Sequence, residues 1–366
     1  MANIQQIELD KRQLGLFAKY LEMPTVTDID YNGHTLWITD QTIGTYRADD
    51  EITEKFVTQF THDVSNAINK PFNQANSVLE ADTKDLRISC VHESAAPSGT
   101  VICIRKSPPI IQNTIEGMVQ NQYCDEEVLH LLINCVKAKM NFVFGGEPGT
   151  GKTECAKFFM QFIPQSEKVI TMEDSLEMHY GDINPDSNYA EFRVSKDFSY
   201  EDAIKVSLRL NPKWLMLSEA RSREVAFLIE QWSTGVNGFS TIHMEDIRNL
   251  PDRVMNMMGG GKDSERMENR VYRAVNIGIL IRRVKDDQGH IKRYIDQLGF
   301  YSRENHKNRV YMIVDEGEIV GKEIPGEVLK KFRMAGIQDP FRCDNIDDYL
   351  KREEMRNNEE TKENGE

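Results

Sequence analysis

The chain reads as an α/β protein: a mostly parallel sheet covered by helices, preceded by a small α+β domain. Three observations predict this. From about residue 125 onward, short apolar runs alternate with amphipathic helical patterns, the rhythm of βαβ units. Before them, residues 26–47 alternate apolar and polar positions, the period of half-buried strands. Between the two regimes stands Lys106-Ser107-Pro108-Pro109, which punctuates the chain as a linker does. The length of 366 residues is too great for one ordinary core and suits two domains with a short tail.

Residues 1–25 form a lead-in with some helical character. VTDIDYNG and HTLWITD flank Asn32-Gly33, a hairpin signal, and TIGTYR continues the alternation. Ile52, Phe56, Phe60, Val64, Ala67 and Ile68 share one helical face, with Asp50 as the predicted N-cap and Pro71 as the stop. LRISCVH (86–92) and GTVICIRK (99–106) are further strands, completing an α+β domain over 26–108.

The second domain is predicted over 109–350. Asp125 caps a helix carrying Val128, Leu131, Leu132, Cys135 and Val136. NFVFG, KVITM, WLMLS and GFSTI are strands, and 152–163, 200–210 and 223–234 are helices. Ser199 with Asp202 three residues later makes a capping box. Gly259-Gly260-Gly261 followed by KDSER predicts a mobile loop, and IGILIRRV and IKRYIDQL around Asp287-Gln288-Gly289 predict a late hairpin. The tail 351–366 has almost no apolar content and is expected to be disordered or at most a frayed helix.

Composition narrows the function. Hydrophobic residues make up 39% and charged residues 28%, and no stretch approaches the roughly 18 apolar residues of a membrane span. The polar start predicts no secretion signal. With 45 Lys+Arg against 59 Asp+Glu, the formal charge is -14. Direct nucleic-acid binding is therefore not expected. None of the six cysteines forms a C-x-x-C pair, so no zinc knuckle is indicated, and Cys135 and Cys155 read as reduced core residues of a cytoplasmic protein.

The motif that carries chemistry is Gly146-Glu147-Pro148-Gly149-Thr150-Gly151-Lys152-Thr153. It matches G-x-x-x-x-G-K-[ST] in full, between an apolar strand and a helix. Its glycines let backbone N–H groups turn around phosphates. Lys152 reaches the β- and γ-phosphates, and the Thr153 hydroxyl ligates Mg²⁺. Glu173, Asp174 and Glu177 follow the next strand, where carboxylates orient water or support the metal. The run Trp214–Ser218 ends in Glu219, the form of a Walker B strand. Thr241-Ile242-His243 ends the following strand, at the edge where open parallel sheets bind ligands.

The order of these four stations resembles one family, the secretion traffic ATPases: type IV secretion and conjugation ATPases and pilus-assembly ATPases of the Tad type. SLRLNP (207–212), with Arg209, resembles the family's helix end before Walker B. ILIRRVKDDQGHIKRYIDQL resembles its late hairpin, and VTDIDYNGHTLWITD, PFNQANSVLEADTKDLRIS and GTVICIRK resemble its N-terminal domain. The tetracysteine zinc module of many type II and pilus-extension members is absent from the sequence, which favours the type IV secretion or Tad branch.

The resemblance implies a RecA-like P-loop ATPase domain, ATP and Mg²⁺ as cofactors, nucleotide between the two domains, and a homo-hexameric ring. It also implies inner-membrane partners and a peripheral cytoplasmic location. Glu173 or Glu219 then positions the water. Arg105, at the end of the IRK strand, is the first choice for reading the γ-phosphate because the guanidinium fork matches phosphate oxygens, and Arg209 is the second. The alternative reading is a RecA-type motor that translocates nucleic acid, separable by nucleic-acid stimulation of ATPase activity. A third is a nucleotide-regulated assembly protein with negligible turnover.

Overall fold

A computed structural model describes residues 7–259, 264–286 and 289–363. The chain divides into two compact units: residues 1–109 with 175–177 and 284–292, and residues 110–174 with 178–283 and 293–366.

In the first unit, α1 (Lys11–Leu14) and α2 (Leu16–Leu21) precede β1 (Val26–Tyr31), β2 (Leu36–Asp40) and β3 (Gly44–Arg47). Then follow α3 (Glu54–Ala67), β4 (Val78–Asp82), β5 (Leu86–Val91) and β6 (Val101–Lys106). The strands lie in the order β3-β2-β1-β6-β5-β4 and pair antiparallel. Asn32 fixes the first turn by accepting the N–H of His34 and Thr35 at 3.1 and 2.8 Å, while Gly33 takes φ +94°. Ile29, Ile38, Ile88 and Ile104 are fully buried in one cluster with Phe17, Phe60 and Val64.

The cap of α3 differs from the sequence expectation. Thr53 accepts the N–H of Phe56 at 3.2 Å, whereas the Asp50 carboxylate is taken by the Tyr20 hydroxyl and by Lys19. A carboxylate already held by a cation and a phenol gains nothing from moving to a helix end.

The second unit holds α4 (Ile115–Gln120), α5 (Glu126–Lys137), β7 (Phe142–Gly145), α6 (Lys152–Met160), β8 (Val169–Glu173), α7 (Tyr180–Ile183) and β9 (Tyr189–Arg193). The chain continues through α8 (Tyr200–Leu208), β10 (Trp214–Leu217), α9 (Glu224–Ser233), β11 (Phe239–Ile242), α10 (Leu250–Met257) and α11 (Ser264–Ala274). It ends with β12 (Ile277–Lys285), β13 (Ile291–Glu304), β14 (Lys307–Asp315), β15 (Glu318–Ile319), α12 (Gly326–Met334) and α13 (Ile346–Glu363). The strands lie in the order β15-β14-β13-β12-β7-β11-β10-β8-β9. The six from β12 to β9 are mutually parallel.

Both faces of this sheet are covered. Phe142, Phe144, Trp214 and Met216 belong to one apolar cluster, and their neighbours Val143, Leu215 and Leu217 to another. Successive side chains of a strand point to opposite faces, so a strand buried on both sides must be apolar throughout. That is why FVFG and WLML read as unbroken apolar runs.

The tail, expected to be disordered or at most a frayed helix, carries most of α13, which runs from Ile346 to Glu363. Tyr349 and Leu350 pack against the core, with the Tyr349 ring edge-on to Phe162 at 4.8 Å. The buried Glu353 accepts the Ile115 N–H at the start of α4 (3.0 and 3.2 Å to its two oxygens). Together with Ile346, which also packs on that core, these side chains and one capping carboxylate dock a mostly polar helix. Of the predicted glycine-rich loop, residues 260–263 lie outside the described residues, and Ser264 already begins α11. Residues 287–288 of the predicted late turn also lie outside them. Among the described helices, none is long and apolar enough to cross a membrane.

Candidate active site

The site grows from the carboxyl ends of four adjacent parallel strands. The order β7-β11-β10-β8 sets side by side the loop after Gly145, His243, Glu219 and Glu173. Aromatic packing holds this edge: Phe142 and Phe144 of β7 meet Phe159 of α6 at 6.3 Å, and Phe239 of β11 at 4.7 and 5.6 Å. Each such pair contributes about 0.5–1.5 kcal/mol beyond burial.

The loop 146–151 is shaped by glycine. Gly146, Gly149 and Gly151 take φ of +146°, +74° and +90°. At Gly146 a Cβ would stand 2.6 Å from the Ile281 carbonyl oxygen, so space as well as φ excludes a side chain. Thr150 is buried and closes the turn by donating its hydroxyl to the Glu147 carbonyl at 2.9 Å. Glu147, Pro148 and Gly149 are exposed at the loop crest. Gly151 caps α6, whose first residues are Lys152 and Thr153. The loop N–H groups and the helix N-terminus together suit an anion.

Lys152 is buried, and its ammonium donates to the carbonyls of Gly146 (3.2 Å) and Glu147 (2.9 Å) and lies 3.2 Å from His243 Nδ1. His243 Nε2 is 2.8 Å from Glu219. Nδ1 lies equally close, 3.2 Å, to the Gly146 carbonyl oxygen, so the ring's protonation decides whether it accepts from Lys152 or donates to Gly146, while Nε2 faces the carboxylate. The other oxygen of Glu219 meets Arg221 at 2.8 Å, and Arg221 reaches Asp174 at 2.6 Å. Lys152, His243, Glu219, Arg221 and Asp174 thus form one line of polar contacts across three strand ends. The hydrogen bond that Arg221 donates to Glu219, foremost, raises the Arg221 pKa above its ordinary value.

Second contacts fix this line. Thr241 donates its hydroxyl to the Ser218 carbonyl at 2.6 Å, tying β11 to β10 just before Glu219. Glu224 accepts the N–H of Arg221 and of Ser222, both at 2.6 Å, and the Ser222 hydroxyl. Burial pushes the Glu224 carboxyl up, but these donors outweigh it and hold it below the usual range.

Burial separates the two candidate acids. Glu173 is fully buried and accepts the Met178 N–H at 2.9 Å. The Glu219 side chain keeps 19% of its surface exposed beside His243. Neither predicted arginine joins the polar line. Arg105 belongs to the first unit and pairs with Asp28 of β1 at 2.6 Å, and Arg209 is exposed at the end of α8. Sequence reasoning missed Arg283 of β12 and Arg293 of β13. A Cβ on Gly149 would lie 3.2 Å from the Arg283 guanidinium, and one on Gly151 would lie 3.5 Å from Arg293 Cδ. Burial, then the charge of Arg283, lowers the Arg293 pKa. The signal was present as basic residues on both arms of the late hairpin.

The residues fit a Mg-nucleotide. Thr153 offers a hydroxyl in the first turn of α6, the glycine loop offers amides, and Glu219 stands at the end of β10, one strand beyond β11 from the loop. Among the described residues, no three His, Cys, Asp or Glu side chains form a metal cage. A donor set of this kind suits Mg²⁺, which keeps water and takes phosphate oxygens as ligands.

A family model described as type II/IV secretion system protein matches residues 72–296. An uncharacterised protein of Bacillus anthracis is 27% identical over 300 residues, which cover 77% of this chain and 66% of the relative. The type IV secretion system protein VirB11 of Bartonella quintana is 27% identical over 187 residues, 49% of this chain and 50% of the relative. The chain therefore spans between half and just under two thirds of the length of these relatives. Among solved structures, the Legionella pneumophila ATPase DotB aligns with a TM-score of 0.58 at 14% identity, covering 80% of this chain and 82% of that one. The pilus retraction motor PilT with bound ADP aligns with a TM-score of 0.58 at 16% identity, covering 90% and 88%. At these identities the likeness is one of fold.

Proposed function

Since the chain belongs to the type II/IV secretion system protein family, we propose that it is a P-loop ATPase whose Mg-dependent hydrolysis of ATP powers type IV secretion, conjugative transfer or Tad-type pilus assembly. Its fold is a RecA-like domain preceded by a small α+β domain. The observation that carries the reading is the unbroken contact line from Lys152 through His243 to Glu219. It links the group that binds phosphate to the group that positions water, so a change in γ-phosphate occupancy is felt at the Walker B acid.

In this reading the 146–151 amides and Lys152 hold the β- and γ-phosphates, and Thr153 is the protein ligand to Mg²⁺, which neutralises phosphate charge when bound. Glu219, partly exposed, orients the attacking water. Glu173, buried and committed to the Met178 N–H, is a positioning residue for the loop that begins at Asp174. His243 senses Lys152, and Arg293 and Arg283 take precedence over Arg105 and Arg209 as readers of phosphate charge. The working form is a homo-hexamer held at the cytoplasmic face of the inner membrane by machine components.

The test is phosphate release by the full chain with Mg-ATP, alongside Lys152→Ala. The variant is expected to keep its fold and lose about 10²-fold or more in turnover, because a contact that tightens in the transition state is worth several kcal/mol. Turnover equal to the parent would sink the assignment.

A further inference from the structure

The opposite ends of the same parallel strands frame a second site. Asn141 precedes β7, Asn237 precedes β11 and Asn276 precedes β12, and all three line a cavity of about 600 Å³. Its wall carries Arg266, Arg270 and Arg273 of α11, Arg303 of β13 and Lys331 of α12, with no carboxylate among the lining residues. In a chain with 59 acidic against 45 basic residues, that separation of charge is not what composition alone would give.

The three α11 arginines stand at i, i+4 and i+7, so they share one face of the helix. Among the described residues, none of them has an ion-pair partner within 4.0 Å. Like charges at this spacing repel, and a cavity that gathers them favours a counter-charge. The other two cations are anchored. Arg303 donates to Asn308 Oδ1 at 2.9 Å, and Lys331 donates to the Lys139 carbonyl at 3.0 Å and to Asn276 Oδ1 at 3.1 Å. The floor is rigid: the Asn141 N–H donates to Asn276 Oδ1 (2.9 Å), its amide donates to the Ala274 carbonyl (2.6 Å), and its oxygen accepts the Gly238 N–H (3.0 Å).

We propose that this cavity binds a soluble small molecule bearing two or more phosphates, at a site separate from the P-loop. Three adjacent guanidinium forks match the oxygens of linked phosphates better than a single monovalent anion. The volume falls within the range of about 300–1,000 Å³ usual for small-molecule sites. The preset asparagine floor means little has to be ordered on binding.

Calorimetric titration of the full-length Lys152→Ala protein with sodium tripolyphosphate, at about 0.15 M salt, tests this with the P-loop disabled. One micromolar-range site is expected. In the same background Arg266→Gln/Arg270→Gln should weaken it by about tenfold or more, with the ligand-free melting temperature unchanged. Arg266→Lys/Arg270→Lys, which keeps the charges but not the forks, should fall between the two. If the double Gln protein melts early, Arg273→Gln at its exposed position is titrated instead and should also weaken binding. No binding, or equal affinity in the Gln variants, overturns the proposal. So does a single-stranded DNA oligonucleotide or a phosphatidylglycerol vesicle that binds more tightly than tripolyphosphate and loses that binding with the arginines. Such a result would assign the cavity to a polymer or a membrane surface.

Discussion

Glu173 and Glu219 stand at the carboxyl ends of adjacent strands, β8 and β10, as chemically identical groups, and their surroundings assign them different work. Glu173 is enclosed and spends its carboxylate on the Met178 N–H, so Glu173→Gln should weaken the fold. A loss of about 1–3 kcal/mol in the urea unfolding free energy is expected for a buried charge-assisted bond. Glu219 faces His243 and Arg221 from a partly exposed position, so Glu219→Gln should leave stability and ATP binding nearly intact. Its turnover should fall by about 10²–10³-fold. If Glu173→Gln folds normally and Glu219→Gln turns over normally, the two roles are exchanged. The arginines divide in the same manner. Arg293 lies against Gly151, whereas Arg105 is committed to Asp28 across β1 and β6. Arg293→Ala should lower kcat by about tenfold or more, and by a larger factor than Arg105→Ala. The reverse order in steady-state kinetics would return the phosphate-reading role to β6.

The turn between β2 and β3 shows how an element is specified by one side chain. Asp40 is buried and accepts the N–H of Thr42 (2.7 Å) and Ile43 (3.2 Å) and the hydroxyls of Thr42 (2.6 Å) and Thr25 (2.5 Å). Burial alone would raise its carboxyl, but the donors outweigh it and lower the pKa. A lowered folded value means stability that is present above the unfolded value, about 4, and lost as pH falls through the folded one. Asp40→Asn should therefore cost about 1–2 kcal/mol near neutral pH and flatten the acid limb below about pH 4. An unchanged acid limb in urea midpoints measured against pH would exclude Asp40 as its source. The same comparison of pattern and environment explains which elements could be read in advance. Strands buried on both faces, FVFG and WLML, announce themselves because every position is apolar. Strands β4 and β9 went unread: Val78 is exposed at the start of one and Tyr189 at the start of the other, and both lie at sheet edges where little burial disciplines the sequence. The P-loop was legible because its chemistry is local. Arg283 and Arg293 were not, because only strand order brings the late hairpin beside β7.

At the scale of the whole molecule, charge constrains how the protein meets others of its kind. A formal charge of -14 per chain opposes the close approach of identical subunits and of an anionic lipid surface. Attachment to a membrane is therefore expected to run through a protein partner rather than through lipid headgroups. The proposed ring of six would have to overcome this self-repulsion, and nucleotide-ordered contacts are the expected means. Two consequences follow for mass in solution, measured by mass photometry at fixed protein concentration. Mg-ATP should shift the protein from smaller species to a hexamer, and Lys152→Ala should not respond. The hexamer fraction should also rise as salt goes from about 0.05 to 0.3 M, because the Debye length shortens from above 10 Å to below 8 Å and long-range repulsion is screened while apolar contacts are not. A ring that dissolves with salt would instead mean that complementary charged patches hold it together. A monomer under every nucleotide and salt condition would count against the ring itself, leaving Lys152, Glu219 and His243 to act within a single chain.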